Sequence, residues 1–254
     1  MKTKKQYRPR LSQSEFDMLQ SFRHDNNVGI IGDTHEPFCH PGYRDFCYEV
    51  FSRFGVSQIV HIGDEVDNAA LSYHESMVEM PNAESEAEQA QKAMDKWYET
   101  FPDVKVCVGN HSALPFRKAT TAGIPNRFMK TYEEIWSAPD GWKWDLAWEI
   151  DGVLYEHGTG SSGISGARNR AIANRQSTVV GHSHSFGGVS YMASRNDLIF
   201  GLNVGCGIDV DHMAFSYGKN FPKKPTLGCG VVINGGRTGI FVPMDLGRRN
   251  LYKF

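Results

Sequence analysis

The stretch "GIIGDTHEPF", Gly29 to Phe38, decides the fold class of this sequence. The apolar run before Gly32 is typical of a buried strand, and Asp33 and His35 follow it within a few residues. A polar turn of this kind can simply close a strand. It can equally place a carboxylate and an imidazole where both bind a metal ion, and the rest of the chain distinguishes the two interpretations.

Short apolar runs that end in polar, Gly-containing turns recur along the chain. They are predicted as strands at Val28–Ile31, Ser57–Ile62, Val104–Val108, Gly152–Tyr155 and Ser177–Val180. Between them lie segments with helical patterns, at Tyr43–Phe54, Ala83–Phe101, Arg127–Trp136 and Ala167–Asn174. Strands that alternate with helices predict an α/β architecture.

After His184 the pattern changes from alternating strands and helices to strands alone. The predicted strands are Val189–Ala193, Leu198–Val204, Gly230–Ile233 and Gly239–Val242, which would run antiparallel in a second sheet or continue the first. The Trp-rich stretch Gly141–Trp148, "GWKWDLAW", alternates at period two and predicts one half-buried strand. Residues 27–254 are expected to form one domain, preceded by a basic tail and leading helix at 1–26.

The composition is that of a globular protein without a strong overall charge. The 254 residues carry a formal net charge of -2, which gives no global attraction to nucleic acid or to an acidic membrane. The first ten residues hold five basic side chains and no acid, a pattern more typical of a solvated tail than of a nucleic-acid contact.

The sequence favours a cytoplasmic protein. No secretory apolar region follows the basic N-terminal segment, and no run approaches the roughly 20 apolar residues that span a bilayer, so no membrane partner is expected. The five cysteines are odd in number and lack C-x-x-C spacing, which indicates free thiols in a reducing compartment.

Each of the five predicted strand ends supplies a hard oxygen or an imidazole nitrogen. The residues are Asp33 with His35, Asp64 with Asp67, Asn110 with His111, His157, and His182 with His184. One such residue alone is usually a hydrogen-bonded surface group. Open α/β sheets place their sites beyond the carboxyl ends of the strands, so five successive strand ends of this kind predict a metal site.

The donor types narrow the choice of metal. The set contains no thiolate, and oxygen and imidazole donors suit first-row ions, with Mn expected first and Fe, Zn, Ni or Co as alternatives. The nine candidates, and even the seven of them that would serve as ligands, are too many for one ion. With one carboxylate shared, they would bind two divalent ions about 3.5–4 Å apart and leave positions for water and substrate.

The motif series "GDTH … GDEVD … GNH … H … GHSH" resembles the calcineurin-like metallophosphoesterase superfamily, from Gly32 to His184. The acid-rich helix before "GNH" and the Gly/Ser loop after His157 are similar to those of small phage- and prophage-encoded phosphoesterases, which would act in a host cytoplasm. The resemblance implies two mixed β-sheets packed as a sandwich and flanked by helices, in four layers.

The resemblance also implies a role for each residue of the series. The first metal would be bound by Asp33, His35 and His184, and the second by Asn110, His157 and His182. Asp64 would bind both metals. His111 would protonate the leaving oxygen, and Asp67 would orient the imidazole of His111. One residue departs from the family. Ser112 stands directly after His111, at a position where the family usually has an acid. Asp67 would then be the only residue that orients His111.

The implied chemistry agrees with elementary physics. Two cations neutralise the charge of a phosphate ester, and a hydroxide held between them forms at a pH far below that needed in bulk water. The expelled alkoxide is a poor leaving group unless it receives a proton. A histidine beside a carboxylate stays cationic near neutral pH and can supply that proton.

Two arginines are candidates for substrate binding. Arg117 follows "GNH", and Arg168 lies at the start of the helix that the Gly/Ser loop opens, where backbone N–H groups also favour anions. The alternative is that both arginines are ordinary solvated side chains on mobile segments.

The sequence supports three hypotheses about function. The first is a phosphodiesterase acting on nucleotides or nucleic acid, favoured because diesterases of the family often keep the second histidine of "GHxH", here His184. The second is a phosphomonoesterase, including one that acts on phosphoproteins. The third is a non-catalytic scaffold of the same fold. The sequence indicates no obligate protein partner.

Overall fold

The computed structural model describes residues 26–72, 82–209 and 225–244. In these ranges the strands are β1 (Asn27–Ile31), β2 (Val56–His61), β3 (Val104–Cys107), β4 (Trp142–Asp145), β5 (Ala147–Ile150), β6 (Val153–Glu156), β7 (Ser177–Val180), β8 (Gly187–Ala193), β9 (Leu198–Val204), β10 (Gly228–Ile233) and β11 (Thr238–Pro243). The helices are α1 (Tyr43–Arg53), α2 (Ala83–Thr100), α3 (Leu114–Thr121), α4 (Tyr132–Ile135) and α5 (Gly166–Asn174), with 3-10 turns at Ala69–Leu71 and Asn126–Phe128. Residues 1–25 of the predicted basic tail and leading helix lie outside the described ranges.

Two mixed sheets form the fold, as predicted. The first has the order β11-β10-β1-β2-β3-β4, with β1 to β4 parallel to one another and β10 and β11 antiparallel at one side. The second has the order β5-β6-β7-β9-β8, in which β6, β7 and β9 are parallel. The four strands predicted after His184 are therefore divided: β8 and β9 join the second sheet, and β10 and β11 extend the first.

Strand β1 of the first sheet is buried on both faces, which explains its continuous apolar run. Along β1, Val28 and Ile30 face the second sheet and pack against side chains such as Leu202. Ile31 faces the opposite way and packs with Tyr43 of α1 in a core that also includes α2. One core thus lies between the sheets, and the other lies between the first sheet and its helices.

The second sheet is covered by α5 on its outer face. Ala167 and Ala171 are buried on this helix, and their small side chains allow a close approach to the sheet. The approach is closest at Gly201 of β9, where a Cβ atom would lie 2.4 Å from the carbonyl oxygen of Ala167. Helices therefore flank both sheets of the sandwich.

The prediction of one strand through Gly141–Trp148 was wrong. The stretch forms β4 in the first sheet and β5 in the second, and the chain passes between the sheets at Leu146, which is 76% exposed. Period-two alternation continues through such a crossing because each half is itself a half-buried strand. The pattern therefore did not show where one sheet ended.

The predicted helix Arg127–Trp136 is interrupted. Its first part forms only the 3-10 turn, and Met129 leaves it with extended backbone angles. Thr131 then begins α4, because its side chain accepts the backbone N–H of Glu134 while the Glu134 carboxylate accepts that of Thr131. This capping box starts a new helix at a point that the apolar pattern does not mark.

The cysteine prediction is confirmed, because all five thiols are free. A separate finding concerns the helices of the described ranges: none of them combines the length and the apolar character that crossing a membrane requires.

Candidate metal centre

The parallel strands bring the predicted ligands to one edge of the sandwich. Asp33, Asp64 and Asn110 follow the carboxyl ends of β1, β2 and β3, which are neighbours in the first sheet. His157 and His182 follow the carboxyl ends of β6 and β7 in the second sheet. Since the two sheets face each other, residues far apart in the sequence meet across the edge, as predicted.

Asp33, His35 and His184 form a first cluster whose ligand atoms all lie within 4.8 Å of one another. The Nε2 atom of His184 lies 3.0 Å from Oδ2 of Asp33 and 3.1 Å from Nε2 of His35. Two imidazole nitrogens and a carboxylate that converge on one point form a suitable donor set for a first-row divalent ion.

Asp64, His157 and His182 form a second cluster of the same compactness. The Nδ1 atom of His157 lies 3.1 Å from the carbonyl oxygen of Ile62, to which its N–H can donate. This hydrogen bond leaves Nε2 to face the cluster, where it lies 3.0 Å from Oδ1 of Asn110 and 3.1 Å from Oδ2 of Asp64. Asn110 therefore adjoins the second cluster, and its role as a metal ligand stays a prediction.

Asp64 lies between the two clusters. Its Oδ2 atom is 3.1 Å from Nε2 of His157 in the second cluster and 3.9 Å from Nε2 of His35 in the first. Within the described ranges, this buried oxygen and Oδ1 of Asp33 accept no hydrogen bond. Buried carboxylate oxygens normally have partners, so the two unpaired atoms and the converging imidazoles fit a pair of bound cations.

Asp67 contacts two imidazoles rather than one. Its Oδ1 atom lies 2.6 Å from Nδ1 of His35 and 3.1 Å from Nδ1 of His111. These three residues form a further compact group. Both imidazoles use Nδ1 toward the carboxylate, so Asp67 orients His35 and His111 and leaves their Nε2 atoms for other partners. The contact with His35 was missed by the sequence analysis, which assigned Asp67 to His111 alone.

The turn that carries His111 has more support than the sequence suggested. The Oδ1 atom of Asp64 accepts the backbone N–H of His111 at 2.7 Å. Nδ2 of Asn68 donates to the backbone carbonyl oxygen of His111 at 3.0 Å. The hydroxyl of Ser112 donates to Glu65 at 2.6 Å. The expectation that Asp67 orients this turn alone was therefore wrong.

Glu65 is a buried residue of the site that the sequence analysis missed. One carboxylate oxygen accepts the Ser112 hydroxyl and the other accepts Nε1–H of Trp144 at 3.1 Å. Burial raises the pKa of Glu65 to about 7, against those hydrogen bonds. Ser112 directly follows His111, and its hydroxyl is thus bound by a carboxylate from the neighbouring strand end. The signal for Glu65 in the sequence was its position directly after Asp64 in "GDE".

His61 is a buried structural residue beneath the site. The backbone N–H of Gly63 donates to its Nδ1 at 3.2 Å, which leaves Nε2–H to donate to the Thr34 hydroxyl at 3.0 Å. That hydroxyl donates in turn to the carbonyl oxygen of Glu65 at 2.9 Å. Burial lowers the pKa of His61 to about 3, so it stays neutral and connects the two strand-end turns.

Two glycines of the motifs are required by close contacts with the carboxylates. A Cβ atom at Gly109 would lie 2.0 Å from Oδ1 of Asp64, and one at Gly181 would lie 2.1 Å from Oδ1 of Asp33. Any other residue would displace a predicted metal ligand. The glycines of the "GN" and "GH" pairs therefore leave the space that the two carboxylates occupy.

Three residues of the site have left-handed backbone conformations. The φ angles are 49° at His35, 49° at Asp64 and 61° at His182. Such angles are uncommon for residues other than glycine and cluster at functional sites, where the surrounding structure compensates their cost. These turns therefore adopt uncommon backbone conformations that place the three side chains in the site.

The site has a buried floor and a partly exposed mouth. Asp33, His35, Asp64, Asp67 and His157 are buried. The mouth is lined by partly exposed side chains, among them His111 at 29% and His184 at 30%, with Asn110 and His182. A molecule that enters from solvent therefore meets His111 and His184 before the carboxylates.

The charged groups of the site shift one another's pKa values. Burial opposes protonation of His111, but the hydrogen bond to Asp67 and the charge of Asp64 outweigh burial and raise the pKa of His111 to about 9. Burial likewise opposes protonation of His157, and the Asp64 and Asp33 carboxylates raise its pKa to about 9. Burial alone would raise the pKa of Asp64, yet the imidazoles of His157 and His35 hold it well below its usual range.

The two candidate substrate arginines occupy different positions. Arg117 is exposed on α3, the helix that begins three residues after His111. Arg168 is exposed on α5 in the second sheet's outer layer. The neighbouring Arg170 instead contacts Glu156, with Nε 3.5 Å from its carboxylate, and donates to the carbonyl oxygen of Thr159. Substrate contact by Arg117 and Arg168 stays a prediction.

The fold and the site define an α/β sandwich with two adjoining groups of candidate metal ligands. No protein-family model matches the chain, and no curated protein matches it. Solved structures that are similar include vacuolar protein sorting 29 from Cryptosporidium parvum, with 13% identity, 88% of this chain and 92% of that chain covered, and a TM-score of 0.44.

Two further similar structures are those of a phosphoesterase and a nuclease. One is Yfce, a phosphoesterase from E. coli, with 14% identity, 86% of this chain and 100% of that chain covered, and a TM-score of 0.39. The other is the nuclease MPE from Pseudomonas putida, with 11% identity, 87% and 93% covered, and a TM-score of 0.32. These similarities are too distant to assign a function, which therefore has to be argued from the site.

Proposed function

We propose that the protein is a phosphoesterase that depends on two divalent metal ions and prefers phosphodiesters of nucleotides or nucleic acid. One observation carries the proposal: Oδ2 of Asp64 is buried between two clusters of imidazole and carboxylate ligands and, within the described ranges, accepts no hydrogen bond. A shared carboxylate of this kind suits two ions held close together.

The residues present fit such a pair of ions. Asp33, His35 and His184 would bind one, and His157, His182 and Asn110 the other, while Asp64 would contact both. When bound, two divalent cations neutralise the negative charge of a phosphate ester. They also lower the pKa of water, so that hydroxide is available to attack the ester near neutral pH. Mn²⁺ is proposed first because the donors are oxygen and imidazole without thiolate.

The protein's own side chains would supply the proton for the leaving group. His111 lies at the mouth of the site with Nδ1 against Asp67, so its Nε2–H is the proton available to a bound ester. Transfer of this proton to the departing oxygen turns a poor alkoxide leaving group into an alcohol. The carboxylate of Asp67 holds the imidazole in the orientation that this transfer needs.

Two features support the preference for diesters. His184 completes the first cluster, and by the resemblance seen in the sequence this second histidine of "GHSH" is common in diesterases. The mouth is partly exposed along His111 and His184, which gives a substrate with groups on both sides of the phosphate room to bind.

A metal-by-substrate screen tests the proposal. The chain is stripped of metal and then assayed with Mn²⁺, Ni²⁺, Zn²⁺ and Mg²⁺ on bis-p-nitrophenyl phosphate, p-nitrophenyl phosphate and single-stranded DNA. Metal-dependent hydrolysis that favours the bis ester or DNA is expected, and an Asp33→Asn variant purified in parallel should show none. Hydrolysis of the monoester alone would overturn the diester preference. No hydrolysis with any metal would overturn the proposal as a whole.

A further inference from the structure

A second cavity lies on the helix side of the first sheet, between the loop that follows β1 and the helices α1 and α2. Its volume is about 380 Å³, within the range of about 300–1,000 Å³ that is usual for small-molecule sites. None of the candidate metal ligands is among its lining residues, which include Glu36, His40, Arg44, Lys92, Lys96 and Trp97. This cavity is called the basic pocket below.

The basic pocket holds more positive than negative charge. Arg44, Lys92 and Lys96 line it, and within the described ranges Glu36 is the only acid that does so. The Glu36 carboxylate attracts Arg44 and Lys96, and its Oε1 atom accepts Nε1–H of Trp97 at 2.7 Å. One carboxylate cannot neutralise three cations, so the pocket has a formal excess of two positive charges.

The two lysines lie one helical turn apart on α2 and are both exposed. Neither of them forms a salt bridge or a side-chain hydrogen bond with another residue of the described ranges. Like charges four residues apart on a helix repel each other. An anion bound between the two ammonium groups would remove this repulsion.

The guanidinium of Arg44 also has donors left for a ligand. Its Nη2 atom lies 3.8 Å from the carboxylate of Asp45, whose side chain is 80% exposed. Its Nε atom is buried and makes no hydrogen bond within the described ranges, which is uncommon for a buried donor. The rigid fork of a guanidinium matches the geometry of phosphate oxygens.

The loop wall of the basic pocket is held in place by hydrogen bonds of its own. The backbone N–H of His40 donates to the carbonyl oxygen of Gly207 at 2.7 Å. The Nδ1 atom of His40 accepts the backbone N–H of Gly42 at 3.1 Å, so the neutral ring carries its proton on Nε2 and keeps it for another acceptor. A wall that is formed in advance lowers the entropic cost of binding.

We propose that the basic pocket binds the phosphate group of a small phosphomonoester, at a site separate from the metal centre. Arg44, Lys92 and Lys96 would contact the phosphate oxygens. A phosphomonoester carries about 1.5 to 2 negative charges near pH 7, which matches the excess charge of the pocket, whereas a phosphodiester or a carboxylate carries one. The cavity is larger than a phosphate ion requires, which leaves room for an organic group beside the apolar lining residues Pro37, Pro41 and Ala93.

Binding is tested on the full chain in metal-free buffer by isothermal titration calorimetry. Adenosine 5′-monophosphate is expected to bind at one site per chain, and adenosine, which lacks the phosphate, should not bind. Inorganic phosphate is expected to bind more weakly than the nucleotide. If it binds at least as tightly, the choice of an organic phosphate is overturned and the pocket is a site for the free ion. No saturable binding of either anion would overturn the proposal.

A double variant, Lys92→Gln with Lys96→Gln, tests where the nucleotide binds. Loss of two charged donors should weaken nucleotide binding at least about tenfold, and glutamine is a good helix former, so α2 should be retained. Lys143→Gln, at an exposed position on β4 outside the pocket, is the matched control and should bind like the original protein. Equal affinity of the double variant and the control would overturn the proposal.

A variant of the metal centre distinguishes the two sites. His184→Gln should bind adenosine 5′-monophosphate as tightly as the original protein, and a loss of binding in this variant would place the anion at the metal centre and overturn the proposal. Because binding is measured without metal, it does not depend on the proposed hydrolysis. Nucleotide binding by a chain that hydrolyses no ester supports the pocket alone, and ester hydrolysis by a chain that binds no nucleotide leaves only the hydrolytic function.

Discussion

The Nδ1 atom of His111 lies 2.6 Å from the backbone carbonyl oxygen of Asp67 and 3.1 Å from its carboxylate. Both contacts fix the same ring nitrogen, so the opposite nitrogen of His111 is directed away from Asp67. That geometry is what a proton donor to a substrate at the mouth of the site requires. It also separates the role of His111 from the roles of the predicted metal ligands.

A His111→Gln variant should therefore lose proton donation and keep its metal. The rate with a dinucleotide, whose leaving group is an alkoxide, is expected to fall about 10²–10⁴-fold, while bis-p-nitrophenyl phosphate should be affected far less. Steady-state rates on the two substrates give the comparison. Equal losses on both would show that His111 does not act as the acid.

An Asp67→Asn variant should behave differently, because Asp67 also contacts Nδ1 of His35 at 2.6 Å. Loss of the carboxylate that orients a metal-binding imidazole typically costs about 10–100-fold in metal affinity or activity. Titration with Mn²⁺ is expected to show one weakened ion, whereas His111→Gln should bind both as before. Asp45→Asn, at an exposed position on α1, is the control, and unchanged affinity in Asp67→Asn would contradict the contact's role.

The close contact at Gly181 predicts that a single methyl group disrupts the first cluster. In Gly181→Ala the new Cβ would meet Oδ1 of Asp33 at 2.1 Å and Cγ2 of Ile62 at 2.5 Å, so the carboxylate or the turn has to move. Activity should fall at least about tenfold. Gly42→Ala is the matched control, because its nearest neighbours lie at an ordinary 3.5 Å. Full activity of Gly181→Ala would mean that the position of Asp33 is unimportant.

Glu86 of α2 predicts a stability effect outside the metal ligands. Its two carboxylate oxygens accept the backbone N–H groups of Ala69 and Ala70 at 2.6 and 2.8 Å, and so support the 3-10 turn that follows Asp67. Glu86→Ala should lower the free energy of unfolding by about 2 kcal/mol, since it leaves two amide groups without their charged acceptor.

Urea denaturation of the metal-free chain measures that change. Glu88→Ala, an exposed position on the same helix, should stay within about 0.5 kcal/mol of the original protein. A loss in Glu88→Ala as large as that in Glu86→Ala would assign the effect to helix propensity rather than to the turn.

The grouping of the candidate ligands could be predicted from the sequence because each of them lies within four residues after the end of a short strand. Parallel strands place their carboxyl ends together, so the positions of Asp33, Asp64 and Asn110 in the chain already implied their meeting. The glycines beside them gave the same information, since Gly109 and Gly181 leave room for carboxylates. Local sequence and tertiary position agree at these residues.

Contacts between side chains of different turns could not be predicted in the same way. Ser112 and Glu65 are 47 residues apart, and nothing in either segment alone indicates that the serine hydroxyl donates to this buried carboxylate. The passage between sheets at Leu146 was hidden for a related reason, because alternation on either side of it is the same. The first depends on which strands become neighbours within a sheet, and the second depends on which sheet each half of the stretch joins.

The most direct test of the account is the number of metal ions that the chain binds. Protein stripped of metal, saturated with Mn²⁺ and freed of excess should contain about two ions per chain, and Asp64→Asn should contain one or fewer and hydrolyse no ester, because that carboxylate is proposed to contact both. A saturated chain that binds no transition ion, or an Asp64→Asn variant that keeps two ions and full activity, would contradict the central claim.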